Sequence, residues 1–282
     1  MPTIAITGAS GQLGQLVTRL LAAQGVREVR LGSRNPEGLD AHGYATLHAD
    51  FDDFSSLEAL FQDADVALLI SSNGDPETRQ RQHRTAIDAA KAAKVKRVVF
   101  TSFTNPTPAT RFPLAAANED SESYLVASGL DYTILRNNQY LENLEATLAQ
   151  SKQNDTLFIP GVAGKVAYIS REDIAEVIAA VLTGEGHEGK TYELTGDEAV
   201  SIVELAALLT EARGRRVTAV DAPPADFGNI LGGFGLEPFL VDALLGMYAA
   251  SDAGEYASVS GDVARILGRK PAGAAGYVRG FV

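Results

Sequence analysis

Three glycines spaced three residues apart, Gly8, Gly11 and Gly14, join an apolar run at Ile4, Ala5 and Ile6 to an amphipathic one carrying Leu13, Leu16, Val17, Leu20 and Leu21. No other stretch restricts the fold as tightly. Gly8 permits a tight turn out of a strand, Gly11 lets the backbone approach a ligand, and Gly14 lets the following helix sit against the strand. The unpaired N–H groups that open such a helix carry partial positive charge, which suits a pyrophosphate. A glycine triplet alone can be a plain turn. Here it follows a strand, opens a helix and begins a chain of alternating strands and helices, which is the setting of a dinucleotide grip. Thr7, Ser10, Gln12 and Leu13 lie in the same stretch and join Gly8, Gly11 and Gly14 as candidate cofactor contacts.

The rest of the composition narrows the class. A chain of 282 residues exceeds the usual single domain, so one large domain with a smaller appendage is expected. Hydrophobic residues at 45% and charged residues at 21% fit a globular enzyme rather than a disordered chain. No apolar run approaches the roughly 18 residues of a membrane span, and the chain enters its first strand without a leader pattern, so a cytoplasmic location is expected. With no cysteine, disulfides, thiolate ligands and a Cys nucleophile are excluded, and no metal site is expected. A net charge of −12 repels nucleic acid and anionic lipid, so neither is an expected partner.

Taken in order, residues 28–33 read as a second strand ending in Ser33 and Arg34. This position selects the cofactor, because an acid here binds a ribose 2′-OH whereas a cation accepts a 2′-phosphate. Ser33 and Arg34 therefore favour NADPH over NADH, although Arg34 also reads as a solvated loop cation. A third strand over 45–49 leads to Asp50, Phe51 and Asp52, and a capped helix is expected from Ser55. The fourth strand, 66–70, is apolar throughout, as a parallel strand covered on both faces should be, and empties into Ser71 and Ser72, whose small side chains leave room for a cofactor. A helix over 77–93 carries His83, which reads as a surface or packing residue and receives no role. A fifth strand, 97–101, ends in Thr101, Ser102 and Phe103, and a sixth, 130–138, leads into Gln139 and Tyr140. Residues 151–168 read as loop and short strands, Ser170 as the cap of a helix, 191–194 as a strand and 202–213 as a helix. The aromatic segment 227–248 reads as core packing or a pocket wall.

Several motifs together carry a resemblance. Gly-Ala-Ser-Gly-Gln-Leu-Gly at 8–14, Ile-Ser-Ser at 70–72, Gln-His-Arg at 82–84 and Ala-Ala-Lys-Ala-Ala at 89–93 come first. The run Leu135, Arg136, Asn137, Tyr140, Glu142 and Asn143 follows, and then Gly-His-Glu-Gly-Lys-Thr-Tyr-Glu-Leu at 186–194. The chain resembles the NmrA-like atypical branch of the short-chain dehydrogenase/reductases, particularly bacterial NAD(P)H:quinone oxidoreductases and triphenylmethane reductases. The resemblance implies an α/β fold, a Rossmann-type doubly wound parallel sheet with a smaller C-terminal substrate lobe. It divides the chain into a dinucleotide domain over 1–150, completed by about 171–195, and a lobe over 151–282. It places Asp50 beside the adenine ring, with a loop or capping carboxylate as the other reading of Asp50, and makes Phe51 a further candidate cofactor contact. It makes Ser102 a candidate hydrogen-bond donor, or a hydroxyl that only satisfies its strand end. A small aromatic or quinone acceptor is the implied partner, and a homodimer stays open.

The chain also departs from the wider superfamily. Where Tyr-x-x-x-Lys should stand, residues 118–122 read Asn-Glu-Asp-Ser-Glu, and no tyrosine has a lysine four positions later. The usual acid for reducing a ketone is therefore missing. Two readings follow. One is an NADPH-dependent reductase of a quinone or similar electron-poor conjugated compound, with Asn137 and Tyr140 orienting the acceptor and Ser102 helping. The other is a redox-inert NADP(H)-binding sensor of the NmrA type.

Overall fold

The computed structural model describes residues 2–281, which divide into two compact units. The first comprises residues 2–106, 117–136 and 171–192. Its elements run β1 (Ile4–Ile6), α1 (Gln12–Ala23), β2 (Val29–Ser33), β3 (Ala45–His48), α2 (Phe54–Phe61), β4 (Val66–Leu69), α3 (Pro76–Ala92) and β5 (Arg97–Phe103). α4 (Pro113–Ala127), β6 (Asp131–Asn137), α6 (Arg171–Thr183) and β9 (Lys190–Leu194) complete or border it, with α5 (Glu145–Asn154), β7 (Thr156–Ile159) and β8 (Lys165–Val166) intervening in the chain.

The sheet order is β3-β2-β1-β4-β5-β6-β9, and the pairings from β3 through β5 are all parallel. Strand order reverses between β1 and β4, which puts the glycine loop at the switch point where open α/β sheets bind ligands. β1 and β4 are buried at every residue, as strands covered on both faces must be. On one face Leu57, Leu60, Phe61, Ile87 and Phe100 form a closed cluster, and each such side chain contributes about 1.5–3 kcal/mol on burial. α1 packs along α6, where Arg19 and Glu172 meet at 2.9 Å.

Boundaries shift where local capping decides them. α2 begins at Phe54 rather than Ser55, because the Asp53 carboxylate accepts from the Ser55 and Ser56 N–H groups. α3 starts at Pro76 behind the Asp75 cap, and β5 extends two residues past Thr101 to Phe103.

The second unit comprises 107–116, 137–170 and 193–281. It adds β10 (Val200–Ser201), α7 (Ile202–Arg213), β11 (Thr218–Asp221), α8 (Pro224–Gly233), α9 (Pro238–Asp252), α10 (Asp262–Leu267) and α11 (Ala274–Arg279). β7 pairs with β11 in parallel and β8 with β10 antiparallel. The loop expected from Ser151 is instead the end of α5, which closes at Asp155 in the left-handed conformation. Arg213 holds that end, donating to the Ser151 carbonyl at 2.9 Å and to its hydroxyl at 3.0 Å. The aromatic segment divides into two roles. Phe227 is buried and meets Tyr248 edge-on at 5.3 Å, whereas Phe234 is 76% exposed. Among the described residues, no helix is long and apolar enough to cross a membrane.

Candidate active site

The glycine loop is built for an anion. Gly8 sits at φ +64°, and Gly11 N–H donates to its carbonyl at 3.0 Å, folding the loop tightly beneath α1. A Cβ on Gly14 would lie 2.3 Å from the Gly8 oxygen and 2.8 Å from Ala9 Cα, so only glycine lets the helix start this close to the strand. Ala9 N–H bonds the Gly32 carbonyl at 3.2 Å, tying the loop to β2. No side chain caps α1 and no acid stands in its first turn, so its leading N–H groups are left for phosphate oxygens. Ser10, Gly11 and Gln12 are exposed there, while Leu13 is buried and anchors the turn. These features fit a dinucleotide pyrophosphate. Thr7 acts from beneath: its hydroxyl donates to the Leu68 carbonyl at 3.2 Å and accepts from Ile70 N–H at 3.1 Å, welding β1 to β4.

At the end of β2, the buried Ser33 hydroxyl accepts from Asn35 N–H at 3.1 Å and keeps its own hydrogen to donate. Arg34 is exposed, and its guanidinium makes no hydrogen bond or ion pair among the described residues. Asp50 Oδ1 accepts from Asp52 N–H at 3.0 Å, shaping the turn into α2 and leaving the second carboxylate oxygen available. Phe51 packs on the core cluster and meets His83 edge-on at 6.4 Å.

The exits of β4 and β5 are latched together. Ser71 N–H donates to Thr101 Oγ1 at 3.0 Å, and the Ser71 hydroxyl donates to the Thr101 carbonyl. Ser72 N–H donates to His83 Nε2 at 3.0 Å. That bond makes Nε2 the acceptor, so Nδ1 carries the proton and donates to Ser121 Oγ at 2.8 Å, which passes on to the Ala117 carbonyl. Burial first, with the Arg79 charge second, pushes the His83 pKa down to about 3, so the ring is neutral. Of the two readings, surface or packing, His83 takes the second, and beyond that expectation it fixes the β4 exit. The available signal was its place on the buried stripe of α3 with Ala86, Ile87 and Ala90.

The positions of the missing relay are filled by buried polar groups already committed elsewhere. Asn118 Oδ1 accepts from Arg79 at 3.1 Å. Glu122 accepts from Arg136 Nε at 3.0 Å and from its terminal nitrogen at 2.6 Å, and also takes the Ser102 hydroxyl hydrogen at 2.5 Å. The Ser102 hydroxyl hydrogen is directed at the Glu122 carboxylate, and its oxygen keeps its lone pairs. The Glu122–Arg136 pairing is legible only in three dimensions.

Asn137 and Tyr140 belong to the second unit. Asn137 is buried, and its amide Nδ2 donates to the Tyr140 hydroxyl oxygen at 3.3 Å. Its Oδ1 is buried with no hydrogen-bond partner. Leaving such an acceptor unpaired costs about 1–3 kcal/mol, which a ligand N–H or O–H would recover. The flanking chain is held rigidly. Asn138 Nδ2 donates to the Tyr256 carbonyl at 3.0 Å, Gln139 Nε2 to Ser251 Oγ at 2.7 Å, and Leu141 N–H to the Ile169 carbonyl at 2.9 Å.

The geometry accords with what the chain is similar to. A family model described as NAD(P)H-binding matches residues 8–185. Quinone oxidoreductase 2 of Escherichia coli is 39% identical over 257 residues, covering 89% of this chain and 87% of that protein. An NmrA-like family domain-containing oxidoreductase of Aspergillus flavus is 30% identical, covering 94% of this chain and 90% of its own. The crystal structure of Citrobacter sp. triphenylmethane reductase complexed with NADP(H) superposes with a TM-score of 0.90 at 28% identity, covering 99% of this chain and 100% of that one. With the glycine cradle, the parallel sheet and these matches in agreement, the chain belongs to the NAD(P)H-binding, NmrA-like family.

Proposed function

We propose that this chain is an NADPH-dependent reductase that passes hydride to a quinone or a similar electron-poor conjugated acceptor. The observation that carries this reading is the fate of the relay positions: Asn118 is held by Arg79 and Glu122 by Arg136, so neither position supplies an acid. Reducing an isolated ketone creates a basic alkoxide that needs a proton donor, whereas a reduced quinone is a delocalised phenolate that water protonates. The names of the relatives, quinone oxidoreductase and triphenylmethane reductase, support the same class of acceptor.

Bound NADPH supplies the hydride. The protein holds and orients. The N–H groups of Gln12 and Leu13 would take the pyrophosphate, Ser33 and Arg34 the 2′-phosphate, and Asp50 and Phe51 the adenine side of the cofactor. Ser71, Ser72 and Thr101 keep the β4 and β5 exits narrow and fixed. Asn137 orients Tyr140 through its amide and presents Oδ1 to a ligand donor, and Tyr140 positions the acceptor. Ser102 presents an acceptor oxygen, with its hydrogen drawn to Glu122. In this reading the first unit holds the dinucleotide and the second the acceptor, and the enzyme works in the cytoplasm without a nucleic-acid partner. Absorbance at the NADPH band falls when benzoquinone is added to enzyme and NADPH. A flat trace would overturn the reading in favour of a redox-inert NADP(H)-binding regulator.

A further inference from the structure

Glu122 stands where the wider superfamily places a lysine, and it is buried, with 7% of its surface exposed. Its partners come from two strands of the first unit. Arg136 near the end of β6 donates to the carboxylate from Nε at 3.0 Å and from a terminal nitrogen at 2.6 Å, and Ser102 near the end of β5 donates its hydroxyl hydrogen at 2.5 Å. Replacing a buried ion pair by apolar side chains commonly leaves a fold as stable or more so, so stability does not account for this one.

What the pair does account for is the direction of one hydrogen. A serine hydroxyl turns to donate or accept as its neighbour requires, but an ionised carboxylate only accepts and a guanidinium only donates. With Ser102 and Arg136 both meeting Glu122, the Ser102 hydrogen is directed there, and Oγ meets any further neighbour as an acceptor. A fixed acceptor serves a group that can only donate. A quinone carbonyl has no hydrogen to give and a ribose hydroxyl adapts to either polarity, so neither needs it. A carboxamide N–H2 does.

The sheet order brings such a group to β5. In the reductase reading the 2′-phosphate and adenine lie toward the β2 and β3 exits, so the nicotinamide half of a dinucleotide seated on the glycine loop extends the other way, past β4 toward β5. β5 is two strands from β1, about 10 Å across the sheet. We propose that Ser102 accepts from the carboxamide N–H2 of NADP(H), and that Glu122, braced by Arg136, is the positioning residue that makes Ser102 an acceptor. The inference rests on the cofactor half of the reductase reading, and binding alone tests it, with no electron acceptor and no turnover.

Titration calorimetry on the full chain compares three ligands: NADP⁺, its 3-acetylpyridine analogue, whose methyl ketone keeps the carbonyl and lacks the N–H2, and 2′-phospho-ADP-ribose, which ends before the nicotinamide. The unmodified chain binds NADP⁺ at least about fivefold more tightly than the analogue. In Ser102→Ala that ratio falls to about twofold or less. In Glu122→Gln the amide oxygen goes to the charged guanidinium and the amide N–H2 faces Ser102, which turns the hydroxyl hydrogen toward the cofactor, and the ratio again falls to about twofold or less. 2′-Phospho-ADP-ribose binds all three proteins within about twofold, which a general loosening of the fold would not allow. Equal Kd for NADP⁺ and the analogue in the unmodified chain, or a ratio unmoved in Ser102→Ala, overturns the carboxamide contact. A ratio lost in Ser102→Ala and kept in Glu122→Gln overturns the role of Glu122, and so does weakened 2′-phospho-ADP-ribose binding in that variant. The expected ratios without turnover of any quinone would sink the reductase reading and leave this contact standing.

Discussion

At the scale of single residues, side chains that look alike in the sequence do different work. The Arg34 guanidinium at the end of β2 makes no hydrogen bond or ion pair among the described residues, and a charge-assisted contact to a phosphate contributes about 1.5–3 kcal/mol. NADPH therefore binds at least about tenfold more tightly than NADH, and Arg34→Asp removes most of that preference. Equal affinities in the unmodified protein, from fluorescence titration, would contradict the assignment. His83 shows what the sequence concealed, since a lone helical histidine gives no sign of a backbone bond to Ser72. Its folded pKa, about 3, lies below the ordinary 6.5, so the neutral ring's contribution is complete above about pH 6.5. As pH falls from there toward about 3, it is lost by about 1.4 kcal/mol per unit. His83→Gln can still accept from Ser72 N–H but has nothing to titrate. Urea midpoints from pH 7 to pH 4.5 should fall more steeply in the unmodified protein than in this variant; parallel slopes would show that His83 is not held neutral.

At the scale of elements, legibility followed how one-sided each segment is. β1 and β4 could be read because apolar side chains alone fill their buried positions, and α1 because Thr18 is the one polar side chain in its buried stripe. α5 could not, because among its buried residues Leu148 and Ser151 make no continuous stripe, and the helix is held from outside by Arg213. α4 hides its meaning similarly, burying Asn118, Ser121 and Glu122 where an apolar face would be expected. The glycine loop is the most legible element of the site, since its spacing is dictated by backbone contact. Gly14→Val would force a side chain into the Gly8 carbonyl and tilt α1, an overpacking cost of about 1–3 kcal/mol. The variant should remain folded at low temperature and lose NADPH binding by more than about tenfold. Retained affinity in a folded variant, measured by titration beside circular dichroism, would show that the helix N-terminus does not hold the pyrophosphate.

At the scale of the molecule, the doubly wound sheet was legible because strand and helix alternate from the first glycine loop onward. The hold that Arg213 keeps on the end of α5 was not, because the two lie far apart in sequence. The absent Tyr-x-x-x-Lys pattern was visible in the sequence, but only the structure shows that Glu122 spends its charge on Arg136 and Ser102. The central claim is that hydride transfer proceeds without a proton-donating side chain. Tyr140 is the rival donor, and Tyr140→Phe should cost little beyond a higher KM if it only positions the acceptor, whereas a loss of kcat of roughly a hundredfold would make it the acid. The most direct measurement is kcat with one fixed quinone between about pH 6 and 9. The account predicts no fall on the basic side. A basic limb that disappears in Tyr140→Phe, together with turnover of unactivated ketones, would contradict it.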